Sequence, residues 1–113
     1  MKSDFKKIMR MSDEMLSYCH ARGAHEMHFD IAERDDMAVL TVNASPVNIT
    51  DSDMALLQRK LNAPRAREIE HDYWSLGGKT DNTSELVLVG MMTDEATIKY
   101  ENHSLTVILT RQH

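Results

Sequence analysis

Aromatic side chains are scarce in this chain: two Phe, three Tyr and one Trp, 5% of the residues. A core built with so few rings must be aliphatic, and nine methionines supply much of it. Methionine fills irregular space without fixing it tightly. Cysteine is nearly absent as well. The single Cys19 cannot form an internal disulfide, and with no apolar leader at the N-terminus the chain reads as cytoplasmic. No apolar run approaches the roughly 18 residues that span a bilayer as a helix. Positive charge is also short, 13 basic residues against 18 acidic, for a net charge of −5. No basic stripe interleaves with aromatics, so nucleic acid and anionic membrane surfaces are disfavoured as partners. Two prolines and four glycines form no linker, and there is no repeat. The 113 residues therefore read as one domain. A domain of that size buries about two thirds of the surface its unfolded chain exposes.

What is present is a clear alternation of periodicities. Phe5, Ile8, Met9, Met15, Leu16 and Cys19 recur at helical spacing, with Met11 slightly off the stripe. Ser3 or Asp4 is placed to cap that helix, and Gly23 to end it. Met27, Phe29 and Ile31 then alternate with Glu26, His28 and Asp30, the pattern of a strand with one solvated face. Arg34-Asp35-Asp36 makes a turn, and Met37 to Val42 returns as a more apolar, central strand.

A second helix is announced by Thr50-Asp51-Ser52 ahead of Met54, Leu57 and Leu61. Asn62-Ala63-Pro64 interrupts it, and a polar helix restarts at Pro64, since proline suits a first helical turn. Gly77-Gly78 stops that helix, and a polar loop follows. Leu86 to Met92 carries a β-branched run that suits a buried strand. The capping signal in Asn82-Thr83-Ser84-Glu85 favours a buried helix, and a helix is the expectation here. Thr97 to Tyr100 and Leu105 to Thr110 flank Glu101-Asn102-His103-Ser104 as a final hairpin. This order predicts an α+β two-layer sandwich, with helices packed on one face of a mainly antiparallel, mixed sheet.

The order resembles the ATP-binding domain of the histidine-kinase-like (GHKL) ATPases. In that family the helix ahead of the hairpin carries a Glu or Asn and, four positions on, a metal-binding Asn. Here Glu14-Met15-Leu16-Ser17-Tyr18 falls at that place. The resemblance makes Glu14 the general base if a hydrolysing site survives, and puts Tyr18 where the Asn should stand. The family's V-x-D-N-G-x-G-I motif follows the second strand, and its Asp binds the adenine amino group. This chain has Val42-Asn43-Ala44-Ser45-Pro46-Val47-Asn48-Ile49 in the same register. Ala44 cannot accept that hydrogen bond, and Pro46 replaces a permissive glycine and removes an N–H donor. Where the family cradles phosphate on a glycine loop, Asp81-Asn82-Thr83-Ser84-Glu85 offers carboxylates and no glycine.

The resemblance thus implies a GHKL ATPase-like scaffold with a degraded nucleotide site and no cofactor. The expected role is a non-enzymatic regulatory or signalling domain that binds a protein partner or forms a homo-oligomer. Tyr73 and Trp74, adjacent aromatics in a chain with few, are the interface candidates. Two alternatives stand beside this. One keeps Mg-ATP binding, with Asn43 or Ser45 reading the base. The other is an unrelated α+β domain with a small-molecule pocket.

Other constellations are weaker. His25 and His28 are three apart on a strand pattern, which sends them to opposite faces and argues against a shared metal. Gly77-Gly78-Lys79-Thr80 lacks the first glycine of a phosphate-binding loop, since residue 73 is Tyr73. Glu68, His71 and Asp72 neighbour one another on a polar helix and read as a solvated face. Cys19 sits on an apolar stripe and reads as an inert thiol.

Overall fold

The computed structural model describes residues 2–62 and 86–112. The polar helix expected from Pro64, the Tyr73–Trp74 pair, the Glu68–His71–Asp72 cluster and the 79–85 loop lie outside the described residues.

The first helix, α1, runs Lys2–Ala21. It begins ahead of Ser3 and Asp4, the positions expected to start it. Its end is as expected. Gly23 takes a positive φ of 96°, Gly23 N–H donates to His20 O, and Ala24 N–H donates to Cys19 O. That pair of bonds satisfies two terminal carbonyls and turns the chain toward the sheet.

Strands β1 (Glu26–Glu33) and β2 (Met37–Ser45) form an antiparallel hairpin. Helix α2 (Asp51–Leu61) starts at a complete capping box, in which Thr50 Oγ1 accepts from Asp53 N–H and Asp53 Oδ2 accepts from Thr50 N–H. Helix α3 (Leu86–Met91) confirms the helical reading of the β-branched run. Strands β3 (Glu95–Glu101) and β4 (Ser104–Gln112) close the chain as a second hairpin. Asn102 and His103 both have positive φ, 51° and 63°, the conformation that a two-residue hairpin turn requires for its twist.

Among the described residues the sheet has the order β1-β2-β4-β3, with every pairing antiparallel. The fold is therefore α+β, with β2 central as the sequence pattern indicated. Strand alternation divides the side chains cleanly. Leu40, Val42 and Ala44 of β2 meet Leu109, Val107 and Leu105 of β4 on one face. All six are at most 2% exposed and pack beneath the helices. The other face carries Thr41, Asn43, Thr106 and Thr110, which are half-buried.

The helical layer is packed closely. Leu57 and Leu61 of α2 and Leu88 and Val89 of α3 join the core. Each fully buried leucine contributes about 2 kcal/mol from the area it removes from water. Gly90 lets α3 lie against the end of α2. A Cβ at that position would fall inside contact distance of the Lys60 carbonyl oxygen.

The helix α1 departs from expectation in which apolar row faces inward. Ile8, Met11, Met15, Tyr18 and Cys19 are buried. Phe5, Met9 and Leu16 are exposed at 39%, 54% and 41%. At 3.6 residues per turn these form two rows roughly a quarter of a turn apart. Met11, which stood off the expected stripe, belongs to the inner row.

Candidate functional site

The segment 42–49 was expected to leave the sheet as a turn that leads into the next helix. Instead β2 continues through Asn43, Ala44 and Ser45, because β4 runs alongside it as far as the Ala44–Leu105 pair. Alternation then separates the residues of this motif. Ala44 points into the core and is fully buried, between Met27 of β1 and Leu105 of β4. Asn43 points to the opposite face, where its Nδ2 donates to Thr106 Oγ1 at 2.9 Å and Ser104 Oγ at 3.3 Å. Ser45 shares the side of Asn43. Past the cis Ser45–Pro46 bond, the chain is tied down at three points. Val47 N–H donates to His103 O, Asn48 N–H donates to Arg22 O, and the Tyr100 hydroxyl donates to Val47 O at 2.6 Å while accepting from Ile49 N–H at 3.4 Å.

Glu14 and Tyr18 lie four residues apart on α1, and both are only 6% exposed. They therefore share the helical layer with Ala44, and the structure does not bring Asn43 or Ser45 to them. Glu14 Oε2 is 3.1 Å from Arg10 Nη2. This is an ion pair by proximity rather than a directed hydrogen bond. Among the described residues, the buried Arg10 Nε and Nη2 meet no acceptor along their N–H bonds. Arg10 also approaches Asp13 Oδ2 at 3.9 Å.

The end of α1 is clamped to the start of α2. The Arg22 guanidinium lies over the Tyr18 ring, 5.2 Å from its centroid, and its Nη1 donates to Asp53 Oδ2 at 2.8 Å. A cation over an aromatic face contributes about 1 kcal/mol. Burial pushes the Tyr18 phenol above its ordinary pKa, with Arg22 acting in the opposite direction. Asp53 is held below the usual carboxylate range, first by the Thr50 N–H and hydroxyl and then by Arg22. Sequence reading did not find this clamp. Its signal was present as an Arg four residues after Tyr18, on the same helix face. Pairing it with Asp53 required knowledge of where α2 lies.

Cys19 is fully buried, and burial pushes its thiol up to about 11. It packs as a small apolar side chain.

A different region is open. The outer row of α1 and the edge strand β1 bound a groove of about 640 Å³. Met9 and Leu16 line it from α1, and Phe29 and Ile31 from β1, with Lys6, Arg10, Ser12 and Asp13 completing the wall. Ile31 is 37% exposed. Clustered large apolar side chains at a concave surface mark a docking site more often than a scattered few do. The sequence signal for this groove was the second apolar row, Phe5, Met9 and Leu16, offset from Ile8, Met11 and Met15.

No family model matches this chain, and no curated protein matches it.

Proposed function

We propose that this chain is a non-enzymatic, cytoplasmic interaction domain, of GHKL ATPase-like layout, whose nucleotide-binding residues have been replaced by packing residues. The observation that carries the proposal is the burial of Ala44. At the position where the resemblance calls for an adenine-binding carboxylate, a methyl group lies fully within the core. Tyr18, at the metal-ligand position, is buried under Arg22, and Arg22 is held by Asp53. Glu14 is paired with Arg10 rather than facing a water-filled cleft.

The order helix, hairpin, helix, helix, hairpin among the described residues supports the layout. The groove between α1 and β1 is the surface through which such a domain would act. The reading with a divergent nucleotide site needs Asn43 or Ser45 beside Glu14. The amide of Asn43 is instead engaged by Ser104 and Thr106 on the far face of the sheet.

Isothermal titration of Mg-ATP into the full chain tests the proposal. The expected result is no heat of binding at millimolar nucleotide. A micromolar dissociation constant would overturn it.

A further inference from the structure

We infer that the groove beside β1 is covered by a second copy of this chain, joined edge to edge through β1 about a two-fold axis. The inference rests on the interaction-domain reading above and names its partner.

The edge itself is the first observation. Among the described residues nothing pairs with the outer side of β1, which is eight residues long and unbroken in register from Glu26 to Glu33. Its sequence, Glu-Met-His-Phe-Asp-Ile-Ala-Glu, contains no proline, no glycine and no lysine. Proline and lysine are the residues that most often blunt an exposed edge; the charges that β1 does carry, Glu26, Asp30 and Glu33, are all acidic. The opposite edge, β3, carries Lys99.

The second observation is hydrogen-bond phase. Arg34 N–H donates to Met37 O, so Arg34 and Met37 are a bonded pair. In an antiparallel ladder bonded pairs recur at every second residue. Ala32, Asp30 and His28 therefore turn their backbone groups toward β2. Met27, Phe29 and Ile31 turn theirs to the open edge. A second β1 can pair only through those odd positions.

The third observation is charge, and it selects the register. Centring the two-fold on Asp30 sets two carboxylates face to face. Centring it on His28 sets Glu26 of one copy against Asp30 of the other. Centring it on Met27 leaves Ile31 beyond the end of the partner strand. Centring it on Phe29 pairs Phe29 with itself, Met27 with Ile31, and His28 with Asp30, each of the last two twice by symmetry. Of these registers, that one alone joins all three apolar residues and sets each Asp30 carboxylate against a His28 imidazole that can donate to it rather than against a second carboxylate. His28 and Asp30 then occupy non-bonded pairs, where Cα atoms approach to about 4.5 Å and side chains interact most strongly. On the other face, Phe29, Ile31, Met9 and Leu16 of one copy adjoin the same four of its partner. The two open grooves become one buried apolar layer, and the outer row of α1 acquires a physical reason.

Sedimentation equilibrium of the full chain across roughly 1–200 µM reads the assembly. The expected species is a dimer of two 12.9 kDa chains. Asp30→Lys and His28→Asp, each folded by circular dichroism, should raise the dimer dissociation constant about tenfold, since the first removes the acceptor that each His28 meets and the second puts carboxylates together at two sites. The double variant sets Asp at position 28 against Lys at position 30, a complementary pair, and should return the constant to near its starting value. Phe29→Cys should give a disulfide-linked dimer on mild oxidation, because position 29 meets itself and the native Cys19 is buried. A monomer at all concentrations overturns the inference, as does a dimer indifferent to the charge reversals or one not rescued by the double variant. Nucleotide titration is unaffected by these outcomes, so failure of the dimer and failure of the interaction-domain reading are told apart.

Discussion

Arg22 and Asp53 meet at 2.8 Å across the junction of α1 and α2, and this one contact joins the end of one helix to the capping box of the next. Asp53 accepts from Thr50 N–H and from Arg22 with the same oxygen, Oδ2. The ionised carboxylate therefore organises the whole corner over which the 43–50 segment passes.

The corner should be acid-labile in a defined direction. Asp53 has its folded pKa lowered. Its contribution to stability is present above the unfolded carboxylate value, about 3.9, and is lost as pH falls through the lower folded value. Urea midpoints measured from pH 5 downward should drop, and Asp53→Asn should flatten that slope. Thr50→Ala, which removes the cap hydroxyl, should cost about 1 kcal/mol at neutral pH.

Tyr100 anchors Val47 and Ile49 through one hydroxyl. Tyr100→Phe keeps the ring against the core and deletes both hydrogen bonds. A loss of about 1–2 kcal/mol is expected by chemical denaturation. Amide exchange at Ile49 should accelerate by more than the global loss accounts for. Exchange at Val107, in the middle of β4, should track global stability alone.

Cys19 should be silent toward thiol reagents. It is fully buried and its pKa is about 11, so the thiolate that reacts is rare at pH 8. Colour from an aromatic disulfide reagent should develop only as the chain unfolds. The raised pKa also sets an alkaline limit. Stability from the buried thiol is complete below the unfolded value, about 8.5, and falls by up to about 1.4 kcal/mol per pH unit until the folded value is passed. Cys19→Ala should remove part of that slope, leaving the share due to Tyr18.

Gly90→Ala should destabilise strongly. The added methyl collides with the Lys60 carbonyl, which is backbone and cannot rotate away. A cost of about 2 kcal/mol, at the middle of the range for overpacking, should appear in the thermal transition. Lys60→Ala should leave stability nearly unchanged, because the collision involves only main-chain atoms of that residue.

Where local chemistry decided the outcome, the sequence was legible. Gly23 ended α1, Thr50 with Asp53 began α2, and Asn102-His103 turned the last hairpin. Each depends on residues within four positions of one another. The helix at 86–91 was harder, because Val87 and Val89 favour a strand. Packing of Leu86, Leu88 and Val89 into the core overrides that preference. The candidate site was legible only in part. Glu14 and Ala44 share the helical layer, whereas Asn43 and Ser45 turned to the other face once β2 ran three residues further than its apolar run. An extension of that kind is set by the length of the partner strand, here β4, more than 60 residues away in the chain.

Among the described residues, the amino-acid sequence by itself determined the kinds of elements, their order and most of their ends, because propensity, capping and turn geometry act over a few residues. Tertiary structure alone decided which of two apolar rows on α1 faces the sheet, which strands form the sheet's edges among the described residues, and that Arg22 finds Asp53. Those outcomes depend on distances between segments far apart in the chain, and side-chain periodicity, which repeats identically for every rotation of a helix, carries no information about them.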